Sequence, residues 1–175
     1  MRRDLFHALD WGAAIGLVNL VWLYAAYYLG LHTNGIAVFQ VFMTVWLLLT
    51  CIGFVLALRS AKRRDPQRGY LSGVLFGAVA ALASAVMAVV AQVGYFKVVH
   101  PEWPEYMAQQ TREHFAAHGA SAEQIAQFEA QARDYFTLSN YAVSSAITAF
   151  VLGMLVSAIA MLFLRRRPVA EAPVP

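Results

Sequence analysis

A chain of 175 residues that is 60% apolar and only 13% charged carries too little polarity for an ordinary soluble domain of its size. Its pI near 9.2 does not indicate nucleic acid, because the basic residues sit in short clusters beside apolar runs and form no continuous stripe. A single cysteine, Cys51, excludes an intramolecular disulfide.

The chain opens with Met1-Arg2-Arg3 ahead of an apolar run. A signal sequence has a similar start, but this run is long, carries Asp4 and Asp10 in its flank and lacks a small-residue cleavage site, so it reads as a retained span. About 20 apolar residues cross a bilayer. Four stretches meet that length, at about 11–31, 36–58, 70–96 and 141–164. Asp10 is placed to cap the first of these helices. A tight turn, Leu31-His32-Thr33-Asn34-Gly35, joins spans one and two. The expected fold is all-α: a polytopic membrane protein with one four-helix domain over residues 1–167 and a disordered Pro- and Ala-rich cytoplasmic tail over 168–175.

Charge sets the orientation. Arg2, Arg3, Arg59, Lys62, Arg63, Arg64, Arg68, Arg165, Arg166 and Arg167 fall on one side, and Lys97, Arg112 and Arg133 on the other. The positive-inside rule then predicts cytoplasmic termini. Aromatic residues such as Trp11, Tyr27, Tyr28, Tyr70 and Tyr95 mark the span ends as interfacial anchors.

Small residues recur every four positions. Gly12 and Gly16 do so in span one; Gly73, Gly77, Ala81 and Ala85 in span three; Ser145, Ala149, Gly153 and Ser157 in span four. Such rows let helix backbones approach closely in lipid. They predict packing within one chain or, as the alternative, a homo-oligomer interface.

Between spans three and four, residues 101–137 read as an external amphipathic helical hairpin. Pro101 and Pro104 open its first helix, Gly119 ends it, and Ser121-Ala122-Glu123-Gln124 matches a capping box. The second helix places Ile125, Phe128, Ala132, Tyr135 and Phe136 on one face. The protein's own surface, lipid headgroups or a protein partner could cover that face.

Chemistry-bearing residues are few. His114 and His118 share a helix face at i, i+4, a weak metal-ligand pattern without the internal Glu of the zinc protease motif. Histidines in a last turn also suit the C-terminal helix dipole. Asn19, Thr44, Ser84, Gln92 and Thr148 are polar within the spans, and an unpaired amide there is expensive, so they predict interhelical hydrogen bonds or the lining of a polar cavity. No catalytic residues, metal site or cofactor is expected.

The segments Ile52-Gly53-Phe54 through Arg63-Arg64-Asp65, Tyr70-Leu71-Ser72-Gly73, Gly94-Tyr95-Phe96-Lys97-Val98-Val99-His100-Pro101-Glu102 and Gly119 to Ile125 together resemble the bacterial membrane family known as domain of unknown function 4199. The resemblance implies four spans, a Pro-Glu step opening an acidic outer segment, and residence in a bacterial inner membrane. It carries no catalytic or binding residue to transfer. The function expected is that of a non-catalytic accessory or scaffold subunit whose partners are the bilayer and another protein or copy; the alternatives are a small homo-oligomeric transporter or channel and a membrane enzyme with an external metal site.

Overall fold

The computed structural model describes residues 2–31 and 36–164. Six helices follow in chain order: α1 (Arg2–Tyr28), α2 (Ile36–Arg64), α3 (Tyr70–Gly94), α4 (Trp103–Ala117), α5 (Ala122–Tyr135) and α6 (Leu138–Leu164). No strand occurs among the described residues. α1, α2, α3 and α6 are long and apolar enough to cross a membrane, each holding an 18-residue stretch of mean hydropathy 1.4 in α1 and 2.5 in the other three. The expected tail at 168–175, Arg165, Arg166, Arg167 and the turn residues 32–35 lie outside the described residues.

Asp10 does not cap α1. The helix begins at Arg2, two turns earlier, and leaves Asp10 exposed on its flank. Asp4 occupies the first turn, where a carboxylate suits the helix dipole. His7 and Ala8 are buried against the bundle, so this early turn is held by packing as well.

Side-chain pairs fix how the four long helices neighbour one another. α1 lies antiparallel to α2 through His7 and Ser60 (3.0 Å), Asn19 and Thr50 (3.1 Å), and the Trp22 indole donating to the Phe42 carbonyl (3.1 Å). α3 runs antiparallel to α6, with Gly73 against Met161, Gly77 against Ser157 and Ala81 against Gly153. Gly12 and Gly16 press α1 onto Ala80, Ala83 and Met87 of α3. A side chain at any of these glycines meets another helix of the same chain, so these glycines serve close packing within the bundle.

The half of the bundle nearest Arg2 and Leu164 is close-packed. Ala8, Ile15, Phe54, Ala57, Leu58, Ala61, Phe76, Ala80, Ala81 and Met161 form its core. Arg68, only 5% exposed, ties off this end: its guanidinium meets Asp4 at 2.9 Å and Ser72 at 3.4 Å and lies over the Phe76 ring. Lys62 donates to the Pro66 and Arg68 carbonyls and closes the turn between α2 and α3.

At its far end α3 runs into a π-helical turn over Tyr95–Val99. The wider turn brings consecutive residues, Tyr95 and Phe96, into buried positions. π-turns of this kind concentrate at functional sites. Gly119 ends the chain's excursion through α4 with φ +76, and the Ser121 and Gln124 side chains exchange bonds with each other's backbone in a capping box that starts α5. α4 and α5 pack on each other through the stacked rings of Phe115 and Phe128, 4.1 Å apart.

Candidate functional site

The long helices are not close-packed along their whole length. Toward the α4 end they part around a cavity of about 600 Å³, a volume usual for small-molecule sites. Its floor is Thr50, Ser84 and Ala149; its walls include Gly16, Asn19, Leu20, Leu23, Trp46, Ala88, Gln92, Ser145 and Thr148; its roof is Tyr95, Trp103, Asn140 and Tyr141. Along α3, Ser84 to Tyr95 corresponds to a depth of about 16 Å.

Two hydrogen-bonded pairs face each other across this space. On one wall, Asn19 of α1 donates to the Thr50 hydroxyl of α2 at 3.1 Å, and Thr50 in turn donates to the Trp46 carbonyl at 2.9 Å. On the other, Gln92 of α3 donates to the Ser145 hydroxyl of α6 at 3.0 Å. An amide offers two N–H donors and a carbonyl with two lone pairs. Gln92 makes one bond, and Asn19 is engaged by Thr50 alone, whose hydroxyl also lies 3.4 Å from Asn19 Oδ1, so each amide keeps hydrogen-bonding capacity in an apolar setting, where unmet capacity is costly.

The roof is aromatic. Trp103 is buried and stacks on Tyr106, with ring centroids 5.8 Å apart, and meets Tyr95 and Tyr141 edge-on. The His100 ring sits among Tyr27, Trp103 and Tyr106 at 5.3, 5.5 and 5.7 Å. Burial pushes the His100 imidazole below its usual value, against the opposing pull of Glu102.

One side stays open. The exposed lining residues are Met43 of α2, Val143, Ser144, Ile147 and Thr148 of α6, with Tyr135 and Asn140 at the top. The mouth therefore lies between α2 and α6, on a flank of the bundle that carries apolar side chains. Among the described lining residues there is no Asp, Glu, Lys, Arg, His or Cys.

Asn19, Ser84, Gln92 and Thr148 thus share one cavity, but Thr44 does not. Thr44 is exposed on α2, and its hydroxyl donates to the Gln40 carbonyl one turn back (2.8 Å). Ser145 and Ala149 belong to the cavity as well as to the α3–α6 contact. The face carrying Ile125, Phe128, Tyr135 and Phe136 is divided: Phe128 stacks on Phe115, Phe136 lies 6.0 Å from Tyr141, Ile125 is half-buried, and Tyr135 stays 64% exposed beside the mouth. His114 and His118 stand 4.3 Å apart on an exposed surface, and His118 Nδ1 lies 2.7 Å from the His114 carbonyl. Among the described residues no third His, Cys, Asp or Glu joins them as a metal-binding group.

Thr50, Trp46, Trp103, Asn140 and Tyr141 are lining residues that sequence reasoning did not single out. Thr50 had a usable signal, since a buried Asn19 needs a polar neighbour on the adjoining helix. The second recess, between α4 and α5, is lined by His100, Glu102, Glu105, Arg112, Glu113, Glu129 and Arg133. Its ion pairs, Arg133 with Glu105 (3.1 Å) and Glu129 (2.9 Å), are surface pairs worth under about 1 kcal/mol each.

A family model described as protein of unknown function (DUF4199) matches residues 10–166. No curated protein and no solved structure matches the chain.

Proposed function

This chain belongs to the DUF4199 family of proteins of unknown function, and from that premise we propose that it is a non-catalytic accessory subunit of a bacterial inner membrane, holding a small molecule in the open half of its bundle. The observation that carries this reading is the pair of amides, Asn19 bonded to Thr50 and Gln92 bonded to Ser145, both lining a cavity of about 600 Å³. The uncharged lining supports binding over acid-base chemistry, which needs a titratable group near neutral pH. The close-packed half supports binding over conduction by a single chain: Phe54, Leu58 and Met161 are fully buried beneath the cavity floor.

The basic clusters at Arg2, Arg3, Arg59, Arg63 and Arg64 all lie at the close-packed end, which supports placing that end and both termini in the cytoplasm and α4, α5 and the cavity roof outside. An impermeant thiol reagent tests this with Ser121→Cys in a Cys51→Ala background: reaction in intact cells fits the assignment, and reaction only after lysis reverses it.

Native mass spectrometry of protein released from its own membranes tests the binding. Wild type should carry one added mass per chain, and Thr148→Phe, which fills the cavity from an exposed position, should lose it. Spectra of the bare chain in both cases would sink the reading.

A further inference from the structure

We infer that the cavity's occupant is an uncharged lipid, with a hydroxyl- or carbonyl-bearing head between Asn19 and Gln92 and its hydrocarbon leaving sideways through the gap between α2 and α6. This rests on the reading of the cavity as a binding site and adds to it the class of ligand and the route of entry.

Three observations converge on that chemistry. First, the described lining has no ionised side chain. A phosphate or carboxylate head drawn into it would lose its hydration without gaining a counter-charge, a cost that uncharged heads escape. Second, the polar groups that remain are amides and hydroxyls, so what they recognise is an ordinary donor or acceptor. Gln92 has its carbonyl and one N–H left after its bond to Ser145, and Asn19 has one N–H and one carbonyl lone pair left beside its contacts with Thr50. A head with at least one acceptor and one hydroxyl satisfies both walls.

The third observation is the shape of the opening. Met43, Val143 and Ile147 edge the mouth and are 43%, 59% and 58% exposed. They belong to helices that face lipid at this depth, so the mouth gives onto the hydrocarbon of the bilayer. A water-soluble ligand would have to cross that hydrocarbon, whereas a lipid already resides in it. Trp103, only 4% exposed beneath its packed neighbours, covers the cavity over α3, and the opening runs down the flank from the exposed Tyr135 and Asn140 to Ile147 and Met43.

Trp46 and Trp103 line the cavity and report on its contents. The probe is dibrominated diacylglycerol, at low mole fraction in phosphatidylcholine vesicles holding the reconstituted full chain, compared with dibrominated phosphatidylglycerol and dibrominated phosphatidylcholine. Diacylglycerol should quench tryptophan fluorescence several-fold more strongly per mole than either phospholipid, and Thr148→Phe should remove the excess. Equal quenching by all three lipids, or stronger quenching by phosphatidylglycerol, overturns the proposal. If no lipid quenches beyond bulk partition while native mass spectrometry still shows one bound mass per chain, the uncharged lipid is wrong and the binding site stands; if that mass is missing too, both fall.

Discussion

Gly77 and Ser157 show what one atom is worth in this bundle. A β-carbon on Gly77 collides with the Ser157 hydroxyl and β-carbon, and Ser157 is fully buried. Overpacking of this kind costs about 1–3 kcal/mol. Gly77→Ala should therefore lower the thermal midpoint in detergent, and adding Ser157→Gly should restore most of the loss by removing the obstructing atoms. Equal or additive losses in the double variant would refute the contact. Arg68 carries a different lesson. In the sequence it reads as one more orientation-setting charge, but its guanidinium is buried between Asp4 and the Phe76 ring. Asp4 lies 64 positions earlier in the chain, and no local pattern links the two. Asn19 was more legible, because an amide in a span demands a partner, although its identity as Thr50 depends on the α1–α2 register.

At the scale of elements, features set by local contacts are legible in the sequence. Ser121 and Gln124 form their capping box because both bonds lie within four residues, and Gly119 ends α4 because its left-handed φ disfavours other residues. The four long helices follow from length and hydropathy. Boundaries that depend on tertiary packing were harder. α1 starts at Arg2 and not beside Asp10, since burial of His7 and Ala8 extends it past the apolar run. The π-turn at Tyr95–Val99 has no composition signature; it follows from the need to bury Tyr95 and Phe96 together. Thr44 illustrates the limit of counting polar residues in a span. A hydroxyl can satisfy itself on its own helix, as Thr44 does with Gln40, and then no interhelical partner is required.

For the molecule as a whole, the four-residue rows of small side chains draw α3 against both α1 and α6 along the close-packed half. Toward the roof, the aromatic cluster of Tyr95, Phe96 and Trp103 joins the helix ends. Between these two fastenings the helices separate, and the cavity is the space they leave. That division could not be read from the sequence, because the rows of small residues continue through Ala85 and Ala149 without marking where close contact ends. Ligand binding by the bundle depends on it. Single cysteines in the Cys51→Ala background measure it directly, with Ala88→Cys on the cavity wall and Ser157→Cys in the packed half, both treated with a small uncharged maleimide after delipidation in detergent. The account predicts rapid reaction at position 88 and none at position 157 until the protein unfolds; equal reactivity at the two positions would contradict it.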